Sequence, residues 1–283
     1  MWLSLIAMLI IGTEQHFLGP QSGSASPRPI TPVVSMGRQP HLAPIEWLEL
    51  PGLAAAANLT TATSSHSGPE FQVAHVRGES IYTYPAPRRK DANHWFANPT
   101  EFGGPRVFMV VGSVPGWLEV ALPLKPNGQT SWVNTDDVTI DTVSHRAEVN
   151  IEDHRLRVWH GDALIADTPV VVGATGSPTP LGTFYVRDKI RQSNPAGGLG
   201  PWALALSGFS EALEHFKGKK PVIALHGTNH PEQVGTSRSN GCVRMPNDIV
   251  TELAEVVPLG TPVSIVSGAE TASTRSSRTS SAH

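Results

Sequence analysis

The chain has 283 residues, more than one ordinary domain, so two folded units with flexible ends are the expectation. Its formal net charge is −3, and it carries no basic block able to neutralise a phosphate backbone, which excludes nucleic acid as an expected partner. Twenty-five prolines and 26 glycines favour strands and loops over long helices.

Trp2 to Gly12 is an apolar run of signal-peptide length, too short to span a bilayer, so no stable transmembrane span is expected. It lacks a basic segment ahead of it, but Gly23-Ser24-Ala25 offers a small-residue cleavage site. Residues 1–25 therefore read as a signal peptide and the protein as exported. A buried N-terminal helix is the competing reading, and the segment that follows gives it no core. That segment, residues 26–69, is rich in Pro, Ser and Ala and reads as a linker; Leu48 to Ala57 is a candidate short helix within it.

Between residues 70 and 142 lie short β-prone runs: Gln72–Val76, Ser80–Tyr84, Val107–Val111, Trp117–Leu122 and Ser131–Val133. Pro, Gly and the pair Asn127-Gly128 punctuate them, which predicts a small all-β domain of SH3-like appearance with a hairpin at Asn127-Gly128. Such a unit is either a docking module or a spacer that buttresses the domain after it. Trp117 and Trp132 are expected to fill its small core.

From residue 146 to 267 the rhythm is again β, with strands at Arg155–His160, Thr168–Gly173, Gly182–Arg187, Trp202–Leu206, Val222–Leu225 and Val263–Val266. One short helix is expected over Asp248–Val257, with Asn247 as N-cap and Pro258 and Gly260 ending it. Residues 268–283, Ser/Thr/Ala with two arginines, read as a disordered tail.

Cys242 is the chain's one cysteine, so no intramolecular disulfide is possible, and an unpaired thiol in an exported protein is a candidate nucleophile. It sits in Ser239-Asn240-Gly241-Cys242-Val243-Arg244-Met245, a setting that suits a turn better than a core. A histidine, His226, ends the apolar run Ile223-Ala224-Leu225 upstream. A neutral-pH thiol needs a partner for its proton, and His226 is the candidate, the pair existing partly as thiolate–imidazolium. Gly241 leaves the backbone bare, so its amide and that of Cys242 are candidate oxyanion donors. Arg244 suits a substrate carboxylate, with tying down local carbonyls as the alternative. Ser239, Asn240 and Thr228 complete the candidate substrate-binding set. His230 lies four residues after His226, but Gly227 and Pro231 disfavour a helix there and no further cysteine exists, so neither a metal nor any other cofactor is expected.

These residues resemble a known family. Leu225-His226-Gly227-Thr228, followed by Ser239-Asn240-Gly241-Cys242-Val243-Arg244, is similar to the active-site signature of the L,D-transpeptidase (YkuD-like) catalytic domain. The likeness extends through Pro178–Phe184, Gly200–Leu204 and Leu259–Val263, and the preceding β unit resembles the arrangement of actinobacterial members. One departure stands out: Asn240 occupies a position where the family commonly has histidine. The resemblance implies a mainly β fold, a YkuD-like β-sandwich catalytic domain with one short helix after the active-site loop. It implies Cys242 as nucleophile, His226 as general base and acid, and the Gly227 carbonyl as the group that orients His226. It implies peptidoglycan stem tetrapeptides as substrate, 3→3 cross-links through a Cys thioester, a cell-wall location and acylation by carbapenem-type inhibitors. With water as acceptor the activity is that of an L,D-carboxypeptidase. A wall-binding protein with a degenerate site is the remaining alternative.

Overall fold

The computed structural model describes residues 68–216 and 218–268; the expected signal peptide, linker and Leu48–Ala57 helix lie outside them, as do the tail residues after 268. The described residues are mainly β, as expected, with one α-helix.

The first seven strands are β1 (Phe71–Val76), β2 (Ser80–Thr83), β3 (His94–Ala97), β4 (Val107–Val114), β5 (Trp117–Ala121), β6 (Thr130–Asn134) and β7 (Val138–Val143). Five of them form a sheet in the order β6-β5-β4-β1-β7, and β2 and β3 form a separate hairpin. Alternation decides what is buried: Ile81, Phe96, Phe108, Leu118, Val120 and Val133 point into a common core. Trp117 and Trp132 fall on the opposite side of their strands and stay half-buried, so they do not fill this core. Asn127-Gly128 lies in a longer loop than the expected tight hairpin. Gly128 takes a positive φ of 83°, and the Asn127 amide pairs with the backbone of Phe209 in the following sheet (2.9 and 2.8 Å).

The remaining strands are β8 (His145–Asn150), β9 (Arg155–His160), β10 (Ala163–Pro169), β11 (Val172–Gly173), β12 (Gly182–Arg191), β13 (Trp202–Phe209), β14 (Val222–His226), β15 (Ser237–Ser239), β16 (Val243–Arg244) and β17 (Pro262–Val266). Eight of them form a mixed sheet, β10-β9-β8-β17-β12-β13-β14-β16, and β11 pairs in parallel with β15. The helix α1 (Asn247–Val256) buries Val250, Leu253 and Ala254, one face at helical spacing, in the core of this sheet. Truncating Leu253 to Ala would cost about 2–5 kcal/mol.

The helix corrects one expectation. Pro246 precedes the first turn, and Asn247 is the first helical residue rather than the cap. At the other end, where α1 has no basic residue of its own, Lys189 from β12 donates to the carbonyls of Ala254 (2.9 Å) and Val257 (3.2 Å).

Between the first sheet and β12 lies a second contact zone. Val73, Val107, Met109 and Val143 pack with Tyr185, and Gly260 faces Val73 so closely that a Cβ would fall 2.4 Å from it. Beside this apolar zone, Thr100 Oγ1 donates to the buried Asp188 (2.5 Å) and Glu101 pairs with Arg187 and Arg106. Burial raises the Asp188 carboxyl, while Thr100 and Arg187 favour its charge. The Tyr185 hydroxyl is buried there without a hydrogen-bond partner among the described residues.

Candidate active site

The expected histidine closes β14. Ile223, Ala224 and Leu225 are buried ahead of it, and His226 itself is only 3% exposed. A buried ring nitrogen needs a partner, and Nδ1 lies 2.6 Å from the Gly227 carbonyl oxygen. A carbonyl can only accept, so Nδ1 carries the proton and Nε2 keeps its lone pair. The backbone that presents this carbonyl is clamped. A Cβ on Gly227 would fall 2.2 Å from Asn247 Oδ1 and 2.9 Å from Gly200 Cα, and Gly200 has a positive φ of 63°. Asn247 Oδ1 accepts from the Thr228 amide (2.8 Å), so the side chain expected to cap α1 instead fixes the histidine's loop. The Met245 amide closes the other side by donating to the His226 carbonyl (2.9 Å).

The chain returns to this strand through β16. The ladder is parallel, with Leu225 opposite Val243 and His226 opposite Arg244. Residues opposite one another share a face, so the side chains of His226 and Arg244 stand side by side. Cys242 comes two residues before Arg244. Its thiol lies 3.8 Å from the Val222 carbonyl oxygen, back along β14.

The turn before Cys242 is held by Ser239. Its buried hydroxyl donates to the Cys242 carbonyl (2.5 Å) and accepts from the Gly241 amide (3.1 Å). Its own carbonyl accepts from Ser177 Oγ (3.2 Å) and the Ala174 amide (2.9 Å). Gly241 takes a φ of 109°, where only glycine is comfortable.

Several expected roles change. Ser239 faces the loop's own backbone and is not placed to touch substrate. The Gly241 amide is committed to Ser239, which leaves the Cys242 amide as the candidate oxyanion donor of the expected pair. Thr228 is buried, and its hydroxyl accepts from the His230 amide (3.0 Å), so it too serves the loop. Asn240 is exposed, and among the described residues its side chain makes no hydrogen bond; it therefore does not shape the turn through side-chain bonding. His230 is turned outward to Glu232 (3.1 Å).

The electrostatics of the resting site run against the thiolate–imidazolium expectation. Burial depresses the His226 pKa to about 4; the Gly227 carbonyl opposes this and Arg244 adds to it. Burial also raises the Cys242 thiol, against weaker pulls from the Ala224 backbone and Arg244. Both shifts favour neutral partners. Arg244 is the fixed charge of the site. Its Nη1 reaches Gln233 Oε1 at 3.4 Å, and its Nε is buried with no hydrogen-bond partner among the described residues.

Sequence reasoning missed Gly200, Asn247, Ser177 and Gln233 as parts of this site. Gly200 and Ser177 sit in or beside the Gly200–Leu204 and Pro178–Phe184 blocks that carried the resemblance, but nothing local signalled their distant partners. A cavity of about 540 Å³ at α1, lined by Pro195, Pro201, Asn247, Asp248, Thr251, Glu252 and Glu255, includes none of Cys242, His226 and Arg244. Among the described residues no group of three or more His, Cys, Asp or Glu is placed to hold a metal, and no helix is long and apolar enough to cross a membrane.

The chain is similar in sequence to known proteins. Residues 144–265 match the sequence model of YkuD, the L,D-transpeptidase catalytic domain. A Bacillus licheniformis protein named L,D-transpeptidase YkuD is 38% identical over 125 residues, covering 44% of this chain and 67% of that protein. Its Bacillus subtilis namesake is 36% identical over 124 residues, covering 44% and 67%. A crystal structure of L,D-transpeptidase 3 from Mycobacterium tuberculosis with a faropenem-derived adduct is 13% identical, covering 68% of this chain and 81% of that one, with a TM-score of 0.37.

Proposed function

Because the chain belongs to the L,D-transpeptidase catalytic domain family, we propose that it forms 3→3 cross-links between peptidoglycan stem peptides through a Cys242 thioester. The observation that carries this reading is the shared face of His226 and Arg244, with Cys242 two residues ahead. A stem tetrapeptide lies with its third-residue carbonyl at Sγ and its free carboxylate at the guanidinium of Arg244.

For this step the Cys242 thiol has to leave the Val222 carbonyl and reach Nε2 of His226. The imidazole takes the proton as sulfur bonds to the carbonyl carbon, and the oxyanion that forms is met by the Cys242 amide. Collapse re-forms the carbonyl and breaks the C–N bond. The leaving D-alanine nitrogen receives the proton from Nε2, and a thioester remains. The side-chain amine of a neighbouring stem then attacks the thioester, giving up its proton to His226, which returns it to the departing sulfur. The charged pair exists only while the reaction is under way, which fits a resting site that favours neutrality.

This substrate lies outside the cytoplasm. The apolar run Trp2 to Gly12 supports export to the wall, and a role in wall biogenesis and cell shape follows. Carbapenems, whose strained amide presents the same electrophile, should acylate Cys242. Incubation with disaccharide-tetrapeptide, followed by chromatography and mass spectrometry of the products, tests the proposal. Cross-linked dimer with released D-alanine supports it. Disaccharide-tripeptide alone would show water to be the acceptor, and no reaction would indicate a binding protein.

A further inference from the structure

Three of the chain's seven tryptophans and two of its three tyrosines stand together on the outside of the N-terminal β unit. Trp95 on β3 is directly opposite Tyr82 on β2. Alternation carries Tyr84, two residues on, to the same face. Tyr84 pairs with Trp132 through two backbone hydrogen bonds of 2.8 Å, and its ring meets Trp117 edge-on at 5.3 Å between centroids. The strip thus runs from β3 across β2 to β6 and β5. The residues between them on the strands, Ile81, Thr83, Phe96, Leu118, Ser131 and Val133, are buried beneath it. Tyr82 is 53% and Trp95 56% exposed. Large aromatic rings left this open gain little from folding and mark a surface that meets something else.

The loop that closes the same hairpin, between Thr83 and His94, carries Arg88, Arg89 and Lys90 in succession. A turn from Ala86 to Arg89 puts Arg88 in the left-handed region (φ 63°). All three cations are exposed, and among the described residues none has an ion-pair partner; Asp91 is the loop's one acidic residue.

We infer that this face is a docking strip for an acidic polysaccharide, its sugar rings lying on Tyr82, Trp95 and the edges of Tyr84, Trp117 and Trp132, its anionic groups meeting Arg88, Arg89 and Lys90. The chemistry favours a sugar chain over other partners. The C–H faces of pyranose rings are weakly positive and pack on the negative faces of aromatic rings, while ring hydroxyls stay in water at the strip's edge. A helix or a lipid surface asks for aliphatic anchors, and the outward neighbours on this hairpin are Ser80 and Ala97. The inference does not depend on the acyl-transfer reading, since none of these residues belongs to that site.

Tryptophan fluorescence titration of the full chain tests it, with a hyaluronan decasaccharide as the acidic sugar probe. Chitohexaose supplies rings without charge, and polyglutamate supplies charge without rings. The hyaluronan oligosaccharide should bind, with each control weaker by about tenfold or more. Replacing both Tyr82→Ala and Trp95→Ala should weaken hyaluronan binding by about tenfold, the scale of two aromatic contacts. Replacing Arg88→Gln, Arg89→Gln and Lys90→Gln should weaken it similarly and flatten its salt dependence. All five positions are on the surface, and an unchanged thermal transition with unchanged alkylation of Cys242 would establish that these variants keep the fold. Absence of hyaluronan binding, equal binding of polyglutamate, or parent-like binding by the Tyr82→Ala/Trp95→Ala variant would overturn the inference.

Discussion

The guanidinium of Arg244 stands beside the imidazole of His226 in the β14–β16 ladder and adds to what burial begins: the ring is held neutral, its Nε2 lone pair available. The base is kept unprotonated down to about pH 4, and burial raises the Cys242 thiol as well. In the proposed reaction the proton would therefore pass during attack and not before it.

Alkylation of Cys242 reads this directly. Its rate with iodoacetamide should rise continuously through neutral pH and go on rising beyond pH 9, the ordinary thiol value, because burial raises the group. A plateau at neutral pH, the signature of a preformed thiolate, would contradict the neutral resting pair.

Acid stability gives a second reading of the same group. An unfolded histidine takes its proton near 6.5, and His226 in the folded chain only near 4. Between those values the unfolded chain binds a proton that the native state refuses. Native stability from this group is thus complete above pH 6.5 and falls by about 3 kcal/mol as the pH drops towards 4. Urea unfolding at pH 7 and pH 4.5 should show a steeper acid loss for the parent than for His226→Gln. Equal losses would remove His226 as the cause.

Turnover and carbapenem labelling separate the two histidines. Cys242→Ala should abolish both without unfolding the protein. His226→Ala should lower the acylation rate on the order of a hundred-fold. His230→Ala should stay near the parent, since His230 faces outward to Glu232. A dead His230 variant with an active His226 variant would reverse the assignment.

The loop before Cys242 offers a contrast between neighbours. Ser239→Ala removes two hydrogen bonds of a buried hydroxyl and should cost about 1–3 kcal/mol in chemical denaturation, with slower acylation. Asn240→Ala, at an exposed position, should change stability by no more than about 0.5 kcal/mol. A large loss of stability in the Asn240 variant would show that its side chain supports the loop.

Much of this was readable from residue patterns. The strands at Arg155–His160 and Val222–His226 follow from alternation and apolar runs, and the Cys242 and His226 motifs are compact enough to be seen in one dimension. What sequence could not supply was the partner of each polar group. Asn247 has the composition of a cap, but its oxygen serves a backbone amide 19 residues away; Ser239 reads as a turn residue or a substrate contact and is a buried staple. Trp117 and Trp132 were misplaced for a related reason: in strands this short, size alone does not say which face a side chain takes.

The contact zone around Tyr185 also bears on how the molecule is to be divided. The family match begins at residue 144, but the first sheet covers Tyr185, and the loop between β3 and β4 supplies Thr100 and Glu101 to Asp188 and Arg187. A chain begun at that boundary would bare an apolar wall and strand a buried carboxylate without its hydroxyl donor. What is one domain by descent is therefore, by its physics, only the larger share of a single folding unit, and any effort to isolate the chemistry from its N-terminal neighbour must take that neighbour along.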